Sequence, residues 1–151
     1  MQNPIIDMNL VIKTFDELTP SQVYEILKAR AAIFVVEQNC VYQDMDDIDY
    51  QSLHIFYEEN NKVVAYLRAF NSEPNVVKIG RVLTLVHGKG LGGKLLKSAL
   101  AVIPKRLPCH KIICDAQCHA LGFYEKAGFK VVSDTFLEDN LPHKKMELTV
   151  K

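Results

Sequence analysis

The 151-residue sequence carries no excess of either charge: Lys plus Arg and Asp plus Glu each number 18, for a formal net charge of +0. A dedicated nucleic-acid binder carries a basic excess as its electrostatic footprint, so the balance argues against that class and leaves only local patches open. There is no long apolar run. The longest, Ala31 to Val36, falls far short of the roughly 20 residues that cross a bilayer, and no membrane span is expected. The start, Met1-Gln2-Asn3-Pro4, has no basic segment followed by an apolar one, so the expected location is the cytoplasm. Cysteines number only four, with no CxxC pair among them, and read as reduced thiols without a disulfide. No repeat, linker or low-complexity stretch divides the chain. At roughly 100 to 200 residues per domain, residues 1–151 form one domain. What is present, 48% hydrophobic and 24% charged residues, is the composition of a globular protein with a packed core.

Alternating apolar positions predict a first strand over Asn9 to Phe15. Thr19-Pro20 then starts a helix whose apolar residues Val23, Ile26, Leu27, Ala31 and Phe34 recur at helical spacing to about Val36. Periodicity is lost from Glu37 to Ser52, read as a long loop with one short turn. Two β-rich runs, Leu53 to Glu58 and Lys62 to Phe70, flank Asn60-Asn61, residues that tolerate the left-handed backbone of a tight hairpin. After a turn at Pro74-Asn75 come a strand over Val76 to Val86, a helix over Leu91 to Ile103 stopped by Pro104, and a strand over Lys111 to Ala116. A helix near His119 to Ala127 ends at Gly128, and strands over Phe129 to Phe136 and His143 to Val150 surround Asn140-Leu141-Pro142. This order implies an α/β (mixed α+β) domain, one mixed sheet with helices on its faces.

The stretch His87-Gly88-Lys89-Gly90-Leu91-Gly92-Gly93-Lys94 lies between a strand and a helix. Glycines let backbone N–H groups approach an anion, and the unsatisfied donors of the following helix stabilise it; Lys89 and Lys94 add charge. Three phosphate motifs overlay these residues. Gly88, Gly93 and Lys94 satisfy most of a P-loop, but Leu95 stands where magnesium binding needs Ser or Thr. Gly88, Gly90 and Gly93 match GxGxxG, with Asp115 as a ribose-binding acid, yet too little chain follows Asp115 to complete a doubly wound sheet.

The third motif, His87-Gly88-Lys89-Gly90-Leu91-Gly92, resembles the pyrophosphate loop (Arg/Gln)xxGx(Gly/Ala) of the GNAT superfamily of N-acetyltransferases. Gln117, Ala120, Tyr124, Gly128 and Phe129 resemble that superfamily's NxxAxxxYxxxGF segment, in the right order. Further segments resemble its ElaA branch: Arg30, Phe34, Val36-Glu37-Gln38, Cys40, Tyr42-Gln43-Asp44 and Asp46, then Gly80-Arg81-Val82, Ala116-Gln117 with His119, and Pro142-His143 with Met146. His87 departs from the usual Arg or Gln, and the segment between Arg81 and Gly88 is shorter than usual. The resemblance implies a GNAT fold: a central, mostly antiparallel sheet with helices on both faces and a parallel, splayed strand pair.

It also implies acetyl-CoA as donor and a primary amine of a small molecule as acceptor, reacting by direct attack on the thioester. The diphosphate would rest on His87 to Lys94, a backbone N–H near Val82 or Leu83 would polarise the thioester carbonyl, and Gln117 and Tyr124 would flank the cofactor. Tyr124 falls where the superfamily's general acid stands. The base must be a carboxylate or histidine, for which Glu37 and His54 are the candidates, with His119 and His143 behind them. Glu37 could instead pair with Arg30 or Arg68. Asp44, Asp46, Asp47 and Asp49 would form a negative mouth for a cationic amine, or a solvated loop. Cys109, His110, Cys114, Cys118 and His119 crowd together, but their spacing lacks a zinc knuckle and buried thiols are preferred. A non-catalytic acyl-CoA-binding or regulatory module is the alternative, separated from the enzyme by turnover with any amine.

Overall fold

The computed structural model describes residues 8–151. Eight strands form one sheet in the order β1-β2-β3-β4-β5-β8-β6, with β7 also paired to β8. They are β1 (Met8–Thr14), β2 (Leu53–Glu59), β3 (Lys62–Glu73), β4 (Val76–Thr84), β5 (Lys111–Gln117), β6 (Lys130–Val131), β7 (Phe136–Glu138) and β8 (Leu141–Thr149). The helices are α1 (Pro20–Arg30), α2 (Leu91–Arg106) and α3 (Leu121–Lys126). All pairings are antiparallel except β4 with β5. This is the α/β architecture with a parallel pair inside a mostly antiparallel sheet that the sequence implies.

Strand alternation puts successive side chains on opposite faces, and β2 is apolar on both. Leu53, Ile55 and Tyr57 join Leu95, Leu96, Ala99 and Ile103 of α2 and Tyr124 of α3 in one core; Phe56, Tyr66 and Leu83 join Ile26 and Ala29 of α1 in the other. The sheet therefore separates an α1 face from an α2/α3 face. Asparagines supply the tight turns: Asn60 and Asn61 both take left-handed φ (51° and 62°), as a two-residue β2–β3 hairpin needs. Asp139 and Asn140 do the same between β7 and β8, with φ of 51° and 64°.

Two helices differ from the sequence reading. Beyond Arg30, the apolar run does not continue α1 but widens into a π-helical stretch, Ala31–Glu37, marked by bonds from Gln38 N to Ile33 O (3.2 Å) and Cys40 N to Val35 O (3.1 Å). The wider turn shifts the side-chain phase that a 3.6-residue period assumes. Helix α2 passes through Pro104 to Arg106. Proline in the last turn removes a single bond, and Leu107 N still closes on Ile103 O at 2.7 Å. In the expected loop, the short turn is a 3-10 segment, Ile48–Gln51. No helix among the described residues is long and apolar enough to cross a membrane.

Candidate active site

Strands β4 and β5 are paired only over Val76–Lys78 and Lys111–Ile113, and part beyond that point. Lys78 Nζ meets Asp115 Oδ2 at 2.8 Å at the fork, and burial's upward push on the Asp115 carboxyl is overcome by Lys78, holding it below the usual range. Above the fork is a cleft of about 500 Å³. On its β4 side, strand alternation sets the donors. Leu85 N bonds to Val64 O of β3 at 2.9 Å, so the amides of Val82 and Thr84, of opposite phase, face the cleft. Just below, Arg81 sits in a β-bulge with φ of 53°, where the β3 register slips between Tyr66 and Arg68. Bulges of this kind re-aim side chains beside functional sites.

Tyr124 lines the cleft from the α2/α3 face. Its residue is 8% exposed, and its hydroxyl has no hydrogen-bond partner among the described residues. Burial raises the phenol above its ordinary range, so it stays protonated at neutral pH. Beside it, burial pushes the Cys114 thiol up to about 12, making it an inert packing group.

The glycine loop enters α2 with Gly88 and Gly90 in the left-handed region (φ of 75° and 71°) and Gly90 capping the helix. A Cβ on Gly92 would meet Thr84 Cγ2 at 3.2 Å and the Phe123 ring at 3.4 Å, so this glycine lets α2 start against β4 and α3. The first amides of α2, from Leu91 to Gly93, have no intrahelical acceptor, which makes the end an anion seat. Lys94 holds its ammonium over the Tyr57 ring, 5.4 Å from the centroid, whereas Lys89 has no ion-pair partner among the described residues.

The structure brings Val82, Leu83, Glu37, His87, Gln117 and Tyr124 to this one cleft. Glu37 closes the π-helical stretch, and its Oε1 lies 3.2 Å from His87 Nε2 rather than on Arg30 or Arg68. Gln117 is tied to Gln38 by reciprocal amide bonds of 3.2 and 3.3 Å, a partner that the sequence did not flag. His54 lies elsewhere. It is 2% exposed, its Nε2 donates to Asp49 O (2.9 Å), its Nδ1 accepts from the Tyr66 hydroxyl (2.6 Å), and burial lowers its pKa. Both of its nitrogens are engaged, and it is not among the residues that line the cleft. Among the described residues no three His, Cys, Asp or Glu side chains form a metal site.

The acidic mouth also requires correction. Asp44 bonds Arg30 Nε (2.8 Å) and Arg81 Nε (2.8 Å), Asp46 bonds Arg68 Nη2 (2.6 Å), and Asp49 bonds Arg30 Nη1 (2.6 Å) and Arg68 Nη1 (3.0 Å). Three guanidinium groups thus neutralise three carboxylates, and the network anchors the loop to β3, β4 and α1 instead of presenting charge. The hydrogen bond from Arg68 holds the Asp46 carboxyl down at about 2. A carboxyl held below its ordinary value stabilises the fold above that value and loses the contribution as pH falls through it. The stability difference between the wild type and Asp46→Asn, measured by urea unfolding, is therefore expected to shrink as pH falls from about 5 to about 2. A pH-independent difference would contradict the pairing.

Residues 16–150 match the acetyltransferase (GNAT) domain family. Protein ElaA of Escherichia coli is 38% identical over 133 residues, covering 84% of this chain and 87% of that protein. Its crystal structure superposes with a TM-score of 0.86 at 34% identity over 93% of this chain and 99% of the other. An acyl-CoA N-acyltransferase from Pseudomonas aeruginosa superposes equally well, with a TM-score of 0.86, 31% identity and coverage of 93% and 99%. Forked strands, glycine-capped helix and these matches agree: the chain belongs to the GNAT acetyltransferase family, in its ElaA-like branch.

Proposed function

We propose that this protein is an acyltransferase that moves the acetyl group of acetyl-CoA to the primary amine of a small molecule by direct attack. The single observation that carries this reading is the cleft itself, which joins a main-chain donor and a buried phenol and reaches His87, where the glycine loop and its anion seat begin. The related Pseudomonas protein is an acyl-CoA N-acyltransferase. The present chain's own residues fit the donor. Backbone amides at Gly88 to Gly93 suit a diphosphate, with His87 and Lys89 at the loop's edge, and the parted strands leave room for an extended pantetheine arm. When bound, acetyl-CoA supplies the thioester that the amine cleaves.

The chain's own groups account for the rest. Val82 N–H, facing the cleft, stabilises negative charge as it grows on the thioester oxygen. Tyr124 gives its proton to the departing sulfur and, being neutral at pH 7, needs no special activation. Glu37, half exposed on the α1 face, meets an incoming ammonium at the mouth. The glycine seat is tested by Gly90→Val, which places a β-branched residue at a left-handed φ of 71° and obstructs the amides. Acetyl-CoA affinity by calorimetry is expected to fall about tenfold or more, about 1.4 kcal/mol, with the circular dichroism spectrum retained. Undiminished affinity would remove the diphosphate from this loop.

A further inference from the structure

An acceptor amine arrives as an ammonium ion, and its lone pair is available only once a base has taken a proton. Tyr124 reaches the cleft from the α2/α3 face, so the base is sought on the opposite, α1 face. In register with Gln117, which bonds to Gln38 at the end of the π-helical stretch, β8 places His143. His143 lines the same cleft and is 6% exposed. Its Nδ1 lies 2.7 Å from Leu141 O, and a carbonyl only accepts, so Nδ1 carries a hydrogen and the lone pair of the neutral ring is on Nε2. Stacking on Phe136, at 5.9 Å and 25°, fixes the ring plane. Glu138 Oε2 stands 3.5 Å from Nε2, at the end of β7.

A ring nitrogen whose tautomer is set by a bond at the other nitrogen can accept a proton, and a carboxylate 3.5 Å away stabilises the cation formed. The Glu37–His87 pair lacks this: its ring is exposed, and among the described residues no second bond sets the ring's tautomer. Asp46 and Asp115 are occupied by Arg and Lys partners. We infer that Nε2 of His143 is the base that deprotonates the acceptor ammonium, with Leu141 O and Phe136 holding its ring and Glu138 stabilising the cation that forms, an inference resting on the acetyl-transfer reading above. The ammonium gives one proton to Nε2, and the freed lone pair forms the C–N bond as the C–S bond breaks. Tyr124 protonates the sulfur and recovers a proton from the nitrogen that becomes the amide. One proton, on His143, is left to return to solvent, which balances ammonium plus thioester against amide, thiol and a proton.

The test compares His143→Asn, which keeps a donor near Leu141 O but has no Nε2, with Glu37→Gln and Glu138→Gln. Each is assayed with a panel of primary alkylamines and with methoxyamine, a nucleophile already uncharged at pH 7. For His143→Asn, kcat/KM with alkylamines is expected to fall about 10²-fold or more, while methoxyamine stays within about threefold. Glu138→Gln is expected to show the same selective loss, smaller in size. For His143→Asn, equal losses on both nucleophiles or no loss would overturn the inference, as would a Glu37→Gln loss on alkylamines as large as the one expected of His143→Asn, since Glu37 contributes only a charge at the mouth. A wild type that acetylates neither nucleophile would overturn the acetyl-transfer reading itself, so the two failures are distinguishable.

Discussion

Tyr124→Phe is expected to lower kcat by about 10²-fold or more, because general acid catalysis is typically worth about 10² to 10⁴-fold. The departing thiolate is only a moderate leaving group at neutral pH, and the donor must be in place as the C–S bond lengthens. The hydroxyl has no protein partner among the described residues, so its removal breaks no hydrogen bond. The ring is a different matter: it stands edge-on to Phe123 at 5.0 Å and to Phe129 at 5.7 Å, and phenylalanine keeps both contacts. Acetyl-CoA affinity and melting temperature should therefore change little. A Phe variant with kcat within about threefold of the wild type would reduce Tyr124 to a core aromatic.

Arg30→Met is expected to destabilise the protein by about 3 to 5 kcal/mol, the cost of removing one partner from a buried ion pair. Arg30 is fully buried, bonds two carboxylates and lies over the Tyr66 ring, 5.9 Å from its centroid. Without it, Asp44 and Asp49 remain in place with half their compensation. For a domain of this length each kcal/mol shifts Tm by roughly 2 to 4 °C, so a fall of about 10 °C is expected. Arg30→Lys should recover little, since a point charge does not reproduce bonds from Nε and Nη1 to two different acids. If the aspartates were a solvated mouth, Tm would stay unchanged and only acceptor KM would move.

Much of the fold was legible because its signals are local. Asn60-Asn61, Thr19-Pro20 and Gly128 each specify a backbone state, and all three mark element ends where expected. The β4–β5 fork was not written in any single motif; it came only with the family resemblance. The π-helical stretch escaped because Ala31 to Val36 is apolar throughout, and such a run does not reveal which residue-per-turn value it adopts. The role of Asp44, Asp46 and Asp49 was misjudged for a related reason. Their partners Arg30, Arg68 and Arg81 lie on three distant elements, and pairing across the fold leaves no spacing to read. A signal did exist: Arg68 interrupts an apolar strand, and a buried guanidinium requires carboxylates. Likewise His54 lies in an apolar strand, where a histidine is more often a satisfied core group than a catalyst, and its two buried bonds bear that out. Tyr124, Glu37, His87, Gln117 and Val82 do meet at one cleft, because the motifs that carry them end at the open side of the fork.

The most direct measurement follows thiol release from acetyl-CoA in the presence and absence of a primary alkylamine, with mass spectrometry of the amine in the same reaction. The account predicts release that depends on the amine, with one acetamide formed for each thiol, and no acetylated protein at any time. Thiol release that ignores the amine, or an acetyl group found on the protein, would contradict direct transfer in this cleft.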